Sequence, residues 1–137
     1  MTRIENLKTY LVNVLNELQK EYKIMNVNFL DKEVDNYSID RIPTQTEIER
    51  WITGKTFCKD VYNFRSRNSY NSNVAENLSN IGFWEAFENK IYSNNEQGIL
   101  PVGTNKIVCL NSGSLQRADA QTCEMSIQIQ IEYEKEE

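Results

Sequence analysis

The chain has 137 residues, 15 basic against 20 acidic side chains, and no histidine. That length suits one domain around one sizeable core. A net charge of −5 disfavours a general nucleic-acid coat, which needs clustered positive charge. The missing histidine removes Ser-His-Asp and Cys-His catalysis, histidine zinc sites and histidine pH switches.

The three cysteines, Cys58, Cys109 and Cys123, are odd in number and widely spaced, with no C-x-x-C pair. They are expected to be buried or half-buried thiols on strands in a reducing compartment, not a disulfide scaffold. No run approaches the roughly 18 apolar residues of a membrane span. The polar start Met1-Thr2-Arg3-Ile4-Glu5-Asn6 lacks the apolar core of a signal peptide, so a soluble cytoplasmic protein is expected.

In chain order, Ile4, Leu7, Leu11, Val14, Leu15, Leu18 and Tyr22 recur every three or four residues. They predict a helix from Arg3 to about Lys23, with Thr2-x-x-Glu5 as a capping box. The stripe faces a core or another subunit. Val27 to Leu30 reads as a short strand, and Tyr37 to Asp40 as another. Thr44 to Trp51 fits a helical turn or a strand equally well.

Thr56 to Arg67 reads as a strand, with Cys58, Tyr62 and Phe64 on one face and Phe57, Val61 and Asn63 on the other. Lys55, Lys59, Arg65 and Arg67 make the segment basic despite Asp60. They form either a solvated strand face or a contact site for an acidic partner. A second helix is predicted from Asn73 to Asn94, its stripe being Val74, Leu78, Ile81, Trp84, Phe87 and Ile91. Gly82 inside it implies a kink, a break or a close backbone approach. Phe83, Trp84 and Phe87 are expected to anchor a core, although aromatic clusters also serve interfaces.

Lys106 to Leu110 reads as a strand, and Asn111 to Thr122 as a loop or the tip of a hairpin. From Met125 to Tyr133, apolar Met125, Ile127, Ile129, Ile131 and Tyr133 alternate with polar Gln128, Gln130 and Glu132. This is the pattern of a long half-buried strand. Glu132 to Glu137 reads as a solvated acidic tail.

The five glycines are isolated, so no phosphate-binding loop is present. There is no calcium-loop or nucleophile-elbow motif either. Pairs such as Asp35 with Asp40 and Glu47 with Glu49 are expected by chance among 20 acids. A non-enzymatic protein without cofactor or metal is therefore expected.

From Leu30 onward, an ordered set of signals resembles the tail-terminator or tail-completion proteins of Gram-positive phages, also labelled minor capsid proteins. These signals are Tyr37-x-Ile39-Asp40-x-x-Pro43, Gly54, Phe64-x-Ser66-Arg67-x-x-Tyr70, Asn77, Ile81-Gly82-Phe83 and Phe87. Leu100-Pro101, Gly113 and the alternating Ile127 to Tyr133 complete it. The resemblance implies a single α+β domain over 1–137, an antiparallel sheet with two main helices packed against it. It also implies a ring, usually a hexamer, that caps the tail tube and stops its polymerisation. Such a ring offers a docking surface to the head connector, in a phage or in a headless tail-like bacteriocin.

The implied partners are further copies of the chain, the tail tube protein, and sheath and head–tail connector proteins. Neither a membrane nor a specific nucleic-acid sequence is implied. Assembly would take place in the bacterial host cytoplasm. A head–tail connector and a small-ligand binder remain as alternatives. The candidate interface residues are Lys59, Arg65, Arg67, Gln128, Gln130 and Glu132, together with the Asn111 to Thr122 segment.

Overall fold

A computed structural model describes residues 2–18, 24–28, 30, 35–43, 47–50, 54–69, 74–118 and 122–136. The elements run α1 (Arg3–Glu17), β1 (Ile24–Val27), β2 (Asn36–Ile42), β3 (Glu47–Arg50), β4 (Lys55–Ser69), α2 (Val74–Gln97), β5 (Lys106–Cys109), β6 (Ser114–Ala118) and β7 (Thr122–Glu136). This is the expected α+β domain with two helices on a sheet.

The sheet is built on one long pair. β4 and β7 align antiparallel over fifteen residue pairs, from Lys55↔Glu136 to Ser69↔Thr122. At about 3.4 Å per residue the ribbon is roughly 48 Å long. β2 and β3 pair with the outer edge of β4, and β5 and β6 with the outer edge of β7. β1 adds to β2 in parallel, the one parallel pair among the described residues. The segment joining β1 to β2 has a left-handed residue at each end, Asn28 (φ 57°) and Asp35 (φ 62°). Asn and Asp are the non-glycine types that best tolerate this conformation.

The pleat decides what is buried. On β4 the even positions Tyr62 and Phe64 face the helices, opposite Ile129 and Ile127 of β7. Tyr37 and Ile39 of β2 and Ile107 of β5 complete that face. Over it α1 lays Leu7, Tyr10, Leu11, Val14 and Leu15, and α2 lays Trp84, Phe87 and Ile91. Each fully buried side chain of this size contributes roughly 1.5–3 kcal/mol. The two helices are joined by Asn94 Nδ2 donating to Tyr10 Oη at 3.2 Å and by Lys90 with Glu17 at 2.8 Å.

Helix α1 starts where expected, with Thr2 Oγ1 accepting the Glu5 N–H at 3.2 Å. It is described to Glu17, with Leu18 as its C-cap. The expected continuation from 19 to 23 lies outside the described residues. β1 begins and ends earlier than the expected Val27 to Leu30 strand, because the left-handed Asn28 stops it. The ambiguous 44–51 segment holds a strand, β3. Gly82 neither breaks α2 nor admits a close neighbour, since no atom lies within 4 Å of a Cβ built there.

The apolar stripe of α2 is only partly a core stripe. Leu78 and Ile81 are 65% and 40% exposed, whereas Trp84, Phe87 and Ile91 further along the same stripe are buried. The helix ends at Gly98 (φ 75°), where the Ile99 N–H returns to Asn94 O at 2.8 Å. The 111–122 segment, expected as a loop or hairpin tip, contains β6. All five β6 residues are exposed, so no alternation of burial marked it in advance. The acidic end is no tail: Glu132 to Glu136 pair with Lys55 to Lys59 inside the sheet.

Candidate functional site: the helix-free face of the sheet

Both helices cover the same side of the sheet. The opposite side carries the odd positions of β4 and the even positions of β7. All six candidate interface residues fall on it. Lys59, Arg65 and Arg67 stand in one column on β4, and Gln128, Gln130 and Glu132 in the adjacent column on β7. Lys59 is directly opposite Glu132, and Arg67 is directly opposite Glu124. Phe57 and Val61 lie among them as apolar spacers.

The two columns carry opposite charge. Lys55, Lys59, Arg65 and Arg67 line β4, whereas Glu124, Glu132 and Glu134 line β7. The basic segment and the acidic end therefore meet first within one chain. Opposite charges facing across a ladder favour the observed register, because a one-residue slip would send them to the helix side.

The ends of the columns are tied down internally. Arg65 pairs with Asp40 of β2 and, at 3.1 Å, with Glu124 of β7. Lys55 reaches Glu134 at 3.7 Å. The centre differs. Lys59 and Glu132 are half-buried and face each other, yet no ion pair joins them among the described residues. Asp60, which shares a segment with the four basic residues, points away to the helix side.

There Asp60 is 1% exposed and forms a cluster that local charge counting does not reveal. Arg3 Nε donates to Oδ2 at 2.7 Å, and Arg41 lies 3.6 Å from Oδ1. The Tyr62 and Tyr133 hydroxyls donate at 3.3 Å each. The Arg3 guanidinium also stacks 4.3 Å from the centre of the Tyr133 ring. The cluster clamps the start of α1 to the sheet. Its signal in the sequence is parity, since Asp60 shares the face of Cys58, Tyr62 and Phe64.

Burial, reinforced by the Asp60 charge, pushes the Tyr62 and Tyr133 phenols up to about 12. Their unfolded value is about 10. Above pH ~10 the unfolded chain therefore loses these protons before the fold does. This stabilisation is fully present below pH ~10 and is lost as the pH rises towards about 12. Denaturant midpoints should thus stay level up to pH ~10 from this source and fall beyond it. Replacing both tyrosines by phenylalanine should flatten that fall. An unchanged slope in the double variant would show that these phenols are not its source.

A concavity of about 680 Å³ opens between α2 and β5, lined in part by Glu88, Ile91, Tyr92, Ile107, Val108 and Cys109. Burial, with Glu88 nearby, pushes the Cys109 thiol up to about 12, so it is a poor nucleophile near neutrality. The Ile107 N–H on the outer edge of β5 is capped by Asn95 Oδ1 at 3.1 Å. That cap blocks strand addition at this point.

The three thiols lie on strands as expected, Cys58 and Cys123 buried and Cys109 half-buried. Among the described residues no group of three or more acidic or thiol side chains could hold a metal, and no helix is long and apolar enough to cross a membrane. No protein-family model matches this chain, and no curated protein matches it.

Proposed function

We propose that this protein is a structural assembly component of a tail-like particle. In this reading it forms a ring that caps the tail tube, stops its polymerisation and offers a docking surface to a head connector or collar. The observation that carries the proposal is the helix-free sheet face. It is polar and ordered by charge, and it brings together the six residues read as interface candidates. Such a face suits protein contact better than chemistry. The ordered resemblance from Tyr37 to Tyr133 supplies the particular assembly.

Purified protein mixed with its tube protein should form a ring-sized species and stop tube growth at fixed length. If the chain stays monomeric beside growing tubes, and tails keep normal length without it, the proposal fails. A head–tail connector is the alternative assembly role; the position of the protein in an imaged particle separates the two, since a connector touches the portal and a terminator the tube. The groove between α2 and β5 favours one further reading, a small-ligand binder. Thermal stabilisation by a member of a metabolite panel, lost on filling the groove by Cys109→Trp, would support that reading.

A further inference from the structure

The arrangement of charge on the helix-free face specifies one partner. The geometry points to a second copy of this chain, docked face to face about a two-fold axis that runs parallel to β4 and β7 and midway between them. The inference rests on reading this face as a protein-contact surface, and needs neither a ring nor a tube.

The argument is one of symmetry. β4 and β7 lie side by side, one basic column next to one acidic column. Rotation by half a turn about an axis between them lays each copy's β4 over the other's β7, at the same height along the strand. The Lys59 row is also the Glu132 row. Lys59 of each copy therefore lies over Glu132 of the other, and the contact is made twice. An in-plane two-fold axis across the strands lays like on like instead. The surface is thus complementary to itself in one orientation, which is the requirement for an isologous contact.

The central groups are the ones left available. Arg65 and Lys55 have acidic partners in their own chain. Lys59 and Glu132 face each other across the ladder without an ion pair. Phe57, half-buried next to Lys59 on this face, adds apolar surface, while Val61 is already buried within the chain; sheets packed face to face are separated by about 10 Å. Sheet twist turns the two faces apart along the strands and limits the match to rows near the Lys59–Glu132 pair. The contact is therefore mainly electrostatic, and salt should weaken it, since screening sets in over about 10 Å at 0.1 M.

Sedimentation of the purified full chain, without tube protein, tests this. A dimer is expected at low salt and should dissociate as salt is raised. Lys59→Glu alone and Glu132→Lys alone should each weaken association by about tenfold or more. Mixing the two variants should restore it, because both intermolecular pairs are then of opposite sign. The charge-swapped double variant should associate like the unaltered chain. Cooperative melting of each single variant shows that the fold is intact.

A monomer at low salt, a reversal without effect, or a mixture that fails to associate would each overturn the inference. A hexamer indifferent to both reversals would overturn it too, while leaving the ring proposal standing. Dimers that fail to cap tubes would do the opposite.

Discussion

Replacing Arg3 by methionine is expected to destabilise the fold by about 3 kcal/mol, although Arg3 is 45% exposed. The cost falls on Asp60 and not on the arginine. The carboxylate is 1% exposed and receives the Arg3 Nε at 2.7 Å. Without that partner it keeps Arg41 at 3.6 Å and two phenol hydroxyls. A buried charge stripped of one partner typically costs 3–5 kcal/mol, and the remaining groups place this case at about the lower end.

The stacking of the guanidinium on Tyr133 is lost as well. In an Asp60→Asn background no buried charge remains, and the same change should cost less than about 1 kcal/mol. Denaturant unfolding of the four chains gives the coupling directly. A coupling of about 2 kcal/mol is expected; additive costs would mean that Arg3 acts only through its own packing.

The second large effect is at Gly113. A Cβ there would stand 2.4 Å from Trp84 Cγ and 2.6 Å from Trp84 Cβ and Cδ2. Trp84 has no room to yield. It is 1% exposed, with ring centres of Phe83, Phe87 and Phe64 at 5.1, 5.5 and 5.8 Å. Alanine must either push the indole off its neighbours or lift the chain off α2, which would break the Gly113 N–H bond to Glu88 Oε1 at 3.0 Å.

Overpacking of this kind costs about 1–3 kcal/mol, and the lost hydrogen bond places Gly113→Ala near the upper end. The aromatic circular dichroism signal should shrink with it. Gly82→Ala is the control. It adds the same methyl group where nothing lies within 4 Å, inside a helix, and should stabilise by about 0.5–1 kcal/mol. Equal responses at the two positions would refute the packing argument.

Alternation made β7 legible from its residues alone, because every second residue from Met125 to Tyr133 is apolar and the long β4–β7 ladder needs that pattern. The parity of β4 was legible in the same way. Parity also put the six candidate residues on one face, once the pairing of the two strands was known. That pairing was not legible, since it joins segments with a helix and two strands between them. β6 escaped notice because an exposed edge strand needs no apolar face. The first turns of α2 misled in the opposite sense. Leu78 and Ile81 keep the helical period, but period reports which residues share a face and not whether a sheet lies beneath it. Asp60 was counted with its chain neighbours, although its strand parity already placed it among Cys58, Tyr62 and Phe64.

The fifteen-pair ladder between β4 and β7 also bears on how the chain reaches its fold. Its partners are separated by about fifty to eighty residues, so the entropy of closing a long loop is spent before the first central pair forms. Local elements such as α1 and α2 can form early, but the sheet on which they pack has no centre until β7 arrives. Folding should therefore be slow for a domain of this size, in about the millisecond-to-second range of non-local β topologies. Substitutions along the ladder should act mainly on the folding rate if it forms the nucleus, and mainly on the unfolding rate if it closes last.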